Sequence, residues 1–236
     1  IFFQKYSQMS RSQQGLAGAG EWETLRKLLP DFKDKRVLDL GCGYGWHCIY
    51  AMEHGASSVV GVDISHKMLE VAKEKTHFPQ VEYKCCAIED VEFPEESFDV
   101  ILSSLAFHYV ADYEILVKKI YRILKSGGKL VFTVEHPVFT AYGTQDWYYN
   151  EKGEILHFPV DNYYYEGKRT AVFLGEKVTK YHRTLTTYLN TLLSNGFIIN
   201  HIVEPQPPEY MMDIPGMRDE MRRPMMLIVS ANKKVD

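Results

Sequence analysis

The residues with the clearest chemical meaning are three glycines and an aspartate. Val37-Leu38-Asp39-Leu40 runs into Gly41-Cys42-Gly43-Tyr44-Gly45-Trp46, an apolar run that ends in glycines and passes into a helical pattern. Glycines at such a junction take backbone angles closed to other residues and let a ligand lie against the main chain. The helix that follows opens with N–H groups that have no partner within it. A nucleotide-bearing ligand is the expectation. Twenty-two residues past Gly41, in Gly61-Val62-Asp63-Ile64-Ser65, a carboxylate ends a second apolar run. There it can accept hydrogen bonds from both hydroxyls of a ribose. A pyrophosphate fingerprint needs glycine at positions one, three and six. Here the glycines are Gly41, Gly43 and Gly45, and position six is Trp46. An adenosine without a pyrophosphate fits this spacing better than a dinucleotide does.

Other candidates sit where apolar runs end. His108 follows the fourth run and His136 the fifth. Either can accept a proton from a substrate, or serve as a hydrogen-bonded wall. His182-Arg183 opens the last large helical pattern, where a basic pair can hold an acidic substrate group or simply face solvent. Tyr6, Met9 and Arg11 precede Gly15-Leu16-Ala17-Gly18-Ala19-Gly20, a run able to hinge a lid or to form an ordinary loop. The cysteines are Cys42, Cys48, Cys85 and Cys86, without the spacing of a zinc site. No metal is expected, and reduced thiols fit a cytoplasmic setting.

These residues need a scaffold, and the pattern from Arg36 to Glu135 supplies one. Arg36–Leu40, Ser58–Asp63, Val81–Cys85, Phe98–Ser104 and Lys129–Val134 are short apolar runs separated by helical stretches, the signature of βαβ units. Continuous hydrophobicity, as in Val100-Ile101-Leu102, marks strands covered on both faces. Ser65 can cap a helix over 66–76. Asp112 can cap another, with Ile115, Leu116, Ile120, Ile123 and Leu124 on one face. Leu185, Tyr188, Leu189, Leu192 and Leu193 give a third amphipathic helix, followed by strands near 197–203 and 225–231. Between the fifth strand and that helix, 137–181 is crowded with aromatics and has little regular period, so it reads as a cap over a site or a small satellite core. The Pro- and Met-rich connection 205–224 is too long for a plain turn and is a candidate functional loop.

Composition narrows the partners. The 236 residues are 45% hydrophobic and 25% charged, the balance of a globular chain. With 27 Lys and Arg against 31 Asp and Glu, the net charge of −4 and the lack of a basic run speak against a nucleic-acid grip. No apolar run is long enough to span a membrane. The chain begins at Ile1 rather than Met, which leaves room for residues upstream.

The order DLGCGYG, GVDIS, IEDVEFPEESFDVILSSLAFHYV and LKSGGKLVFTVEHP resembles the class I S-adenosylmethionine-dependent methyltransferases. The likeness is to the small-molecule enzymes that share the "type 11" methyltransferase domain, and it runs motif by motif over 35–136. The resemblance implies an α/β fold: a seven-stranded Rossmann-like methyltransferase sheet of order 3-2-1-4-5-7-6, its last strand antiparallel, with helices on both faces and an aromatic-rich cap insertion. It implies a single domain over 1–236. That domain comprises a lid or helix region (1–34), a cofactor-binding core (35–136), the cap (137–181) and a C-terminal helix with strands (182–236). S-adenosylmethionine would bind, and S-adenosylhomocysteine would be the product.

By position, the resemblance lays Asp39, Gly41, Cys42, Gly43 and Gly45 along the methionine end. It sets Asp63 on the ribose, Ile64 on adenine and the Ser103 carbonyl near the cofactor. Many relatives carry Gly-Asp-Ala-Glu after the third strand; this chain has Cys86-Ala87-Ile88-Glu89. Adenine recognition then rests on the Ala87-Ile88 backbone or on other groups. The expected activity is methyl transfer to an unidentified small molecule. The candidate catalytic residues are His108 and His136, and His182, Arg183, Tyr6 and Arg11 are placed around the substrate. The rivals are a non-catalytic cofactor-binding module on the same fold and a nucleotide-linked oxidoreductase.

Overall fold

The computed structural model describes residues 2–235. Three short helices, α1 (Phe2–Ser7), α2 (Ser10–Gln14) and α3 (Trp22–Leu25), lead into β1 (Arg36–Leu40). There follow α4 (Trp46–Glu53), β2 (Ser58–Asp63), α5 (His66–Lys75), β3 (Val81–Cys85), β4 (Phe98–Ser104), α6 (Tyr113–Ile123) and β5 (Leu124–Glu135). After the turn of helix α7 (Pro137–Thr140) come two hairpins. The first is β6 (Tyr148–Tyr149) with β7 (Ile155–His157), the second β8 (Gly167–Phe173) with β9 (Glu176–His182). Helix α8 (Leu185–Ser194) then returns the chain to the sheet as β10 (Phe197–Val203) and β11 (Met226–Lys233).

The main sheet runs β3-β2-β1-β4-β5-β11-β10. Strands β1 to β5 pair in parallel, and β11 is antiparallel to both β5 and β10. This is the expected order, with β11 as the seventh strand and β10 as the sixth. Successive side chains point to opposite faces, and here both faces are dry. Leu38, Val60, Ile101 and Phe132 pack beneath α6 and α8, while Val37, Val59, Val100 and Val131 pack with α3 and α4.

The helices follow their start signals. Asp112 accepts the Ile115 N–H, Thr184 accepts that of Thr187, and Ser65 accepts that of Met68. On α6 the buried stripe is Leu116, Val117, Ile120 and Ile123, each worth about 1.5–3 kcal/mol when fully covered. Ile115, expected on that stripe, is 58% exposed, and Leu193 at the end of α8 is likewise outside. Each lies one step round its helix from the contact line.

The segment 137–181 departs furthest from expectation. In place of an aperiodic cap it holds β8 and β9, paired residue for residue from Gly167↔His182 to Phe173↔Glu176. Leu174 and Gly175 turn the hairpin with positive φ at both positions, the geometry of a tight two-residue turn that matches strand twist. Leucine is a poor signal for such a turn, which hid the hairpin. The glycine run Gly15–Gly20 is also no loose hinge. Gly15–Gly18 form a 3₁₀ turn, and a Cβ on Gly18 would come 2.5 Å from the Ser10 carbonyl oxygen. Among the described residues no helix is long and apolar enough to cross a membrane, and no cluster of three or more His, Cys, Asp or Glu is placed to hold a metal.

Candidate active site

The turn after β1 is shaped by contacts that exclude side chains. Gly41, Gly43 and Gly45 have φ of +80°, +53° and +74°. A Cβ on Gly41 would sit 2.4 Å from the Cβ of Ala106, and one on Gly45 would meet the Tyr83 hydroxyl at 2.1 Å. The Gly41 and Cys42 N–H groups both donate to the Val62 carbonyl. Asp63, one residue on, accepts from Gly43 N–H (2.9 Å) and Ser65 N–H (2.8 Å), one bond to each carboxylate oxygen. Burial raises its pKa against the effect of those two bonds. Asp63 thus ties the glycine turn to β2 and keeps lone pairs on both oxygens for a diol.

Beyond the carboxyl ends of β1, β2, β4 and β5 lies a cavity of about 540 Å³. Asp63, Ile64, Met68, Ala87 and Ile88 line one end, and Ile64 offers an apolar face that is 73% exposed. Tyr6, Met9 and Arg11 from the N-terminal helices also line it. A narrower pocket of about 60 Å³ shares Gly41, Gly43, Tyr6 and Arg11 with it. Arg11 forms an ion pair with Glu21 there. The second Glu21 oxygen, Ser12 Oγ, Trp46 Nε1 and His47 Nε2 are buried without a hydrogen-bond partner, and burial pushes the His47 pKa down to about 4. Unpaired buried donors and acceptors converging on one small pocket suit the polar end of a ligand. An adenosyl group fits the wide end and an amino-acid group the narrow one.

The far end of the cavity is built from side chains that arrive separately. Leu105, Ala106, His108, Tyr109, Val110, Glu135, Phe173, Val178, Met225 and Met226 line it. His108 accepts the Glu135 backbone N–H at Nδ1 (3.3 Å), and burial, with Lys180 and Arg183 adding to it, holds its pKa down at about 4. The Glu135 carboxylate is bound by Lys180 Nζ (2.6 Å) and Gln145 Nε2 (2.6 Å), and Lys180 also donates to Gln145 Oε1 (2.7 Å). Burial alone would raise the Glu135 pKa, but His108, Lys180 and these bonds bring it below its usual value. Burial keeps the Tyr109 phenol protonated throughout the neutral range.

The structure brings some of the expected residues together and sends others elsewhere. Gly41, Gly43, Asp63, Ile64, Ala87, Ile88, His108, Tyr6 and Arg11 line the cavity, and Cys42 lines the narrow pocket. Gly45 lines neither; it is the residue from which α4 starts. Asp39 is buried beneath the turn, where its Oδ2 accepts from Cys48 Sγ and its Oδ1 has no partner; burial raises its pKa to about 7. The Ser103 hydroxyl is buried and donates to the Leu40 carbonyl, and the serine that lines the cavity is Ser104. His136 faces away, its Nε2 lying 2.8 Å from Glu204 Oε1, and the cavity-lining neighbour is Glu135. For His136 the difference is a one-residue slip along an extended strand, which flips the face.

His182 bonds Thr140 Oγ1 and the Tyr163 carbonyl. Arg183 donates to the Val110 and Ala111 carbonyls and lies over the Tyr113 ring. Neither lines the cavity; Arg183 braces the turn that carries His108 and Tyr109. Sequence reasoning missed Glu135, Tyr109, Lys180 and Gln145. For Glu135 a signal existed, since it ends the fifth strand at the crevice; for Lys180 and Gln145 there was none.

A family profile described as a methyltransferase domain matches residues 38–132. The chain is 58% identical to a Listeria monocytogenes protein of known structure assigned to the S-adenosylmethionine dependent methyltransferases, covering 93% of this chain and 99% of that one with a TM-score of 0.89. An S-adenosylmethionine dependent methyltransferase from Mesorhizobium loti is 41% identical over 92% of this chain and 100% of its own, with a TM-score of 0.85. A ubiquinone biosynthesis O-methyltransferase from Coxiella burnetii is 36% identical over 112 residues, 47% of each protein. Likeness at this identity over nearly the full length, on a sheet of the same order, places the chain in the family of S-adenosylmethionine-dependent methyltransferases.

Proposed function

We propose that the methyl acceptor is a small molecule bound in the far end of the 540 Å³ cavity. The observation that carries this reading is continuity: one cavity reaches from Asp63 and Ile64, past Gly41 and Gly43, to Phe173, Val178 and Met225. S-adenosylmethionine supplies a methyl carbon already activated by its sulfonium. The chain's part is then to orient and to exclude water, a contribution that can reach about 7–11 kcal/mol. In this reading Asp63 holds the ribose, Ile64 with Ala87 and Ile88 holds the adenine, and the turn Gly41-Cys42-Gly43 lies along the amino-acid end. Tyr6 and Arg11 close over the site, His108 touches the acceptor, and Asp39, Gly45, Ser103, His136, His182 and Arg183 are supports.

The reading takes 1–236 as one domain. It also takes the setting as cytoplasmic, in keeping with four free cysteines, and the partner as a small molecule rather than a nucleic acid. The Coxiella relative acts on oxygen by its name, which favours an oxygen acceptor here. Incubating the protein with methyl-labelled S-adenosylmethionine and a metabolite extract tests it. Label should enter a low-molecular-weight product, and an Asp63→Ala protein should lose at least ~tenfold in S-adenosylhomocysteine affinity, since each bond to a charged group is worth about 1.5–3 kcal/mol. Tighter binding of NAD than of S-adenosylhomocysteine would overturn the assignment of the pocket.

A further inference from the structure

We propose that His108 is a fixed hydrogen-bond donor to the acceptor rather than a base, and that the acceptor presents an acidic, already ionised oxygen on a small apolar body. The inference rests on the far end of the cavity being the acceptor site. A backbone N–H can only donate, so the Glu135 N–H at 3.3 Å makes Nδ1 of His108 the acceptor nitrogen. In a neutral imidazole the hydrogen is then on Nε2. That nitrogen has no hydrogen-bond partner among the described residues, and the residue lines the cavity. What His108 offers an acceptor is an N–H, with no lone pair to take a proton.

No other side chain at that end replaces the missing base. Each Glu135 oxygen already accepts one bond, from Lys180 or from Gln145, and His108, Lys180 and these bonds hold its pKa below the usual carboxylate value, which makes it a poor base. Tyr109, its ring 4.4 Å from that of His108, also lines the cavity, and its phenol stays protonated, so it is available as a second donor. The groups facing His108 are Glu135, Lys180 and Arg183; burial, with Lys180 and Arg183 acting in the same direction, outweighs the Glu135 carboxylate and keeps the ring neutral. A neutral alcohol, which must lose a proton to react, finds only the weakly basic Glu135 carboxylate to take it. A phosphate or a dicarboxylate is equally ill served. The cation lining the cavity is Arg11, committed to Glu21, and Lys180 is committed to Glu135.

Two neutral donors in a wall of Phe173, Val178, Met225 and Met226 suit one oxyanion on an apolar body, as in a carboxylate, an acidic phenol or an enol. The balance of the step is simple. An oxygen lone pair forms the O–CH₃ bond as the S–CH₃ pair returns to sulfur, the charges of oxyanion and sulfonium cancel, and no proton moves.

The test uses the full chain loaded with S-adenosylhomocysteine, whose binding is measured first by calorimetry. Failure at that stage breaks the cofactor reading and not this one. The probe is 4-nitrophenol, whose ionised form absorbs in the visible. It should bind as the phenolate, with its titration midpoint lowered by about one pH unit, and more tightly than benzyl alcohol or benzylamine. His108→Ala should abolish the lowering and weaken binding about tenfold. His108→Gln keeps an N–H and no basic nitrogen, and should retain most of both. Nitrogen NMR of the wild-type ring should show the hydrogen on Nε2 from about pH 6 to 9. A bound neutral phenol, no probe binding, preference for benzylamine, glutamine failing as alanine does, or a hydrogen on Nδ1 would each overturn the proposal.

Discussion

The two ends of the cavity are made in different ways. At the nucleotide end the surface is built around a glycine turn, a strand terminus and one carboxylate within residues 41–65, joined by Met68, Ala87 and Ile88. At the acceptor end it is side chains from five places, namely the N-terminal helices, the 105–110 turn, Glu135, the β8–β9 hairpin and Met225-Met226. A surface made of backbone tolerates changes in the residues around it but not at its glycines. A surface made of side chains can be re-cut for another acceptor without touching the sheet.

The contrast can be attacked from its most vulnerable points. The largest effect is expected at the acceptor end's foundation. Lys180→Met leaves the Glu135 carboxylate, 12% exposed, without its cation, which should cost about 3–5 kcal/mol in denaturant unfolding at neutral pH. The pair's contribution is present above the unfolded carboxylate pKa and fades as pH falls through the lowered folded one. The deficit should therefore shrink on acidification, and a companion Glu135→Gln should recover most of it. No loss in the single variant would mean the ion pair is not what organises that end.

Gly41→Ala comes next, because its Cβ meets Ala106 at 2.4 Å and its φ is +80°. We expect a stability loss of about 1–3 kcal/mol and loss of measurable S-adenosylhomocysteine binding. Ala106→Gly in the same chain should restore part of the stability but little of the binding, since the backbone angle is still wrong. Full recovery would show that side-chain packing, not backbone geometry, shapes the turn.

A smaller effect is expected from Asp39→Asn. Its carboxyl pKa stands near 7 in the folded chain and near 3.8 unfolded, so the folded state binds the extra proton and wild-type stability falls as pH rises from about 4 to 7. The amide should remove that slope and gain about 1 kcal/mol or more over wild type at pH 8. Equal pH profiles would place the unpaired oxygen in contact with solvent. The smallest is Ile64→Ala, exposed enough that stability should stay within about 0.5 kcal/mol while cofactor affinity falls a few-fold.

What could be read from the sequence follows the same division. Gly41, Gly43, Asp63 and Ile64 lie within one βαβ unit, and their spacing is fixed by the length of α4, so a linear motif carries them. The core strands and the helix caps were equally legible, because apolar runs and capping are local, whereas the sheet order came from the family resemblance. His136 was placed on the wrong side because a strand end names a place but not a face. Lys180 reaches Glu135 across 45 residues through a hairpin turned by Leu174-Gly175, Gln145 reaches it across 10 from the segment before that hairpin, and no local pattern encodes such a meeting.

The position of β11 has a consequence for synthesis. It lies between β5 and β10, antiparallel to both. Until residues 226–233 leave the ribosome, β5 and β10 cannot be joined, and Val131 and Phe132 line an open edge. A nascent chain halted at 225 therefore presents two unpaired strand edges, the arrangement most prone to pairing with another chain. Translation of the last strand is the event that closes the sheet.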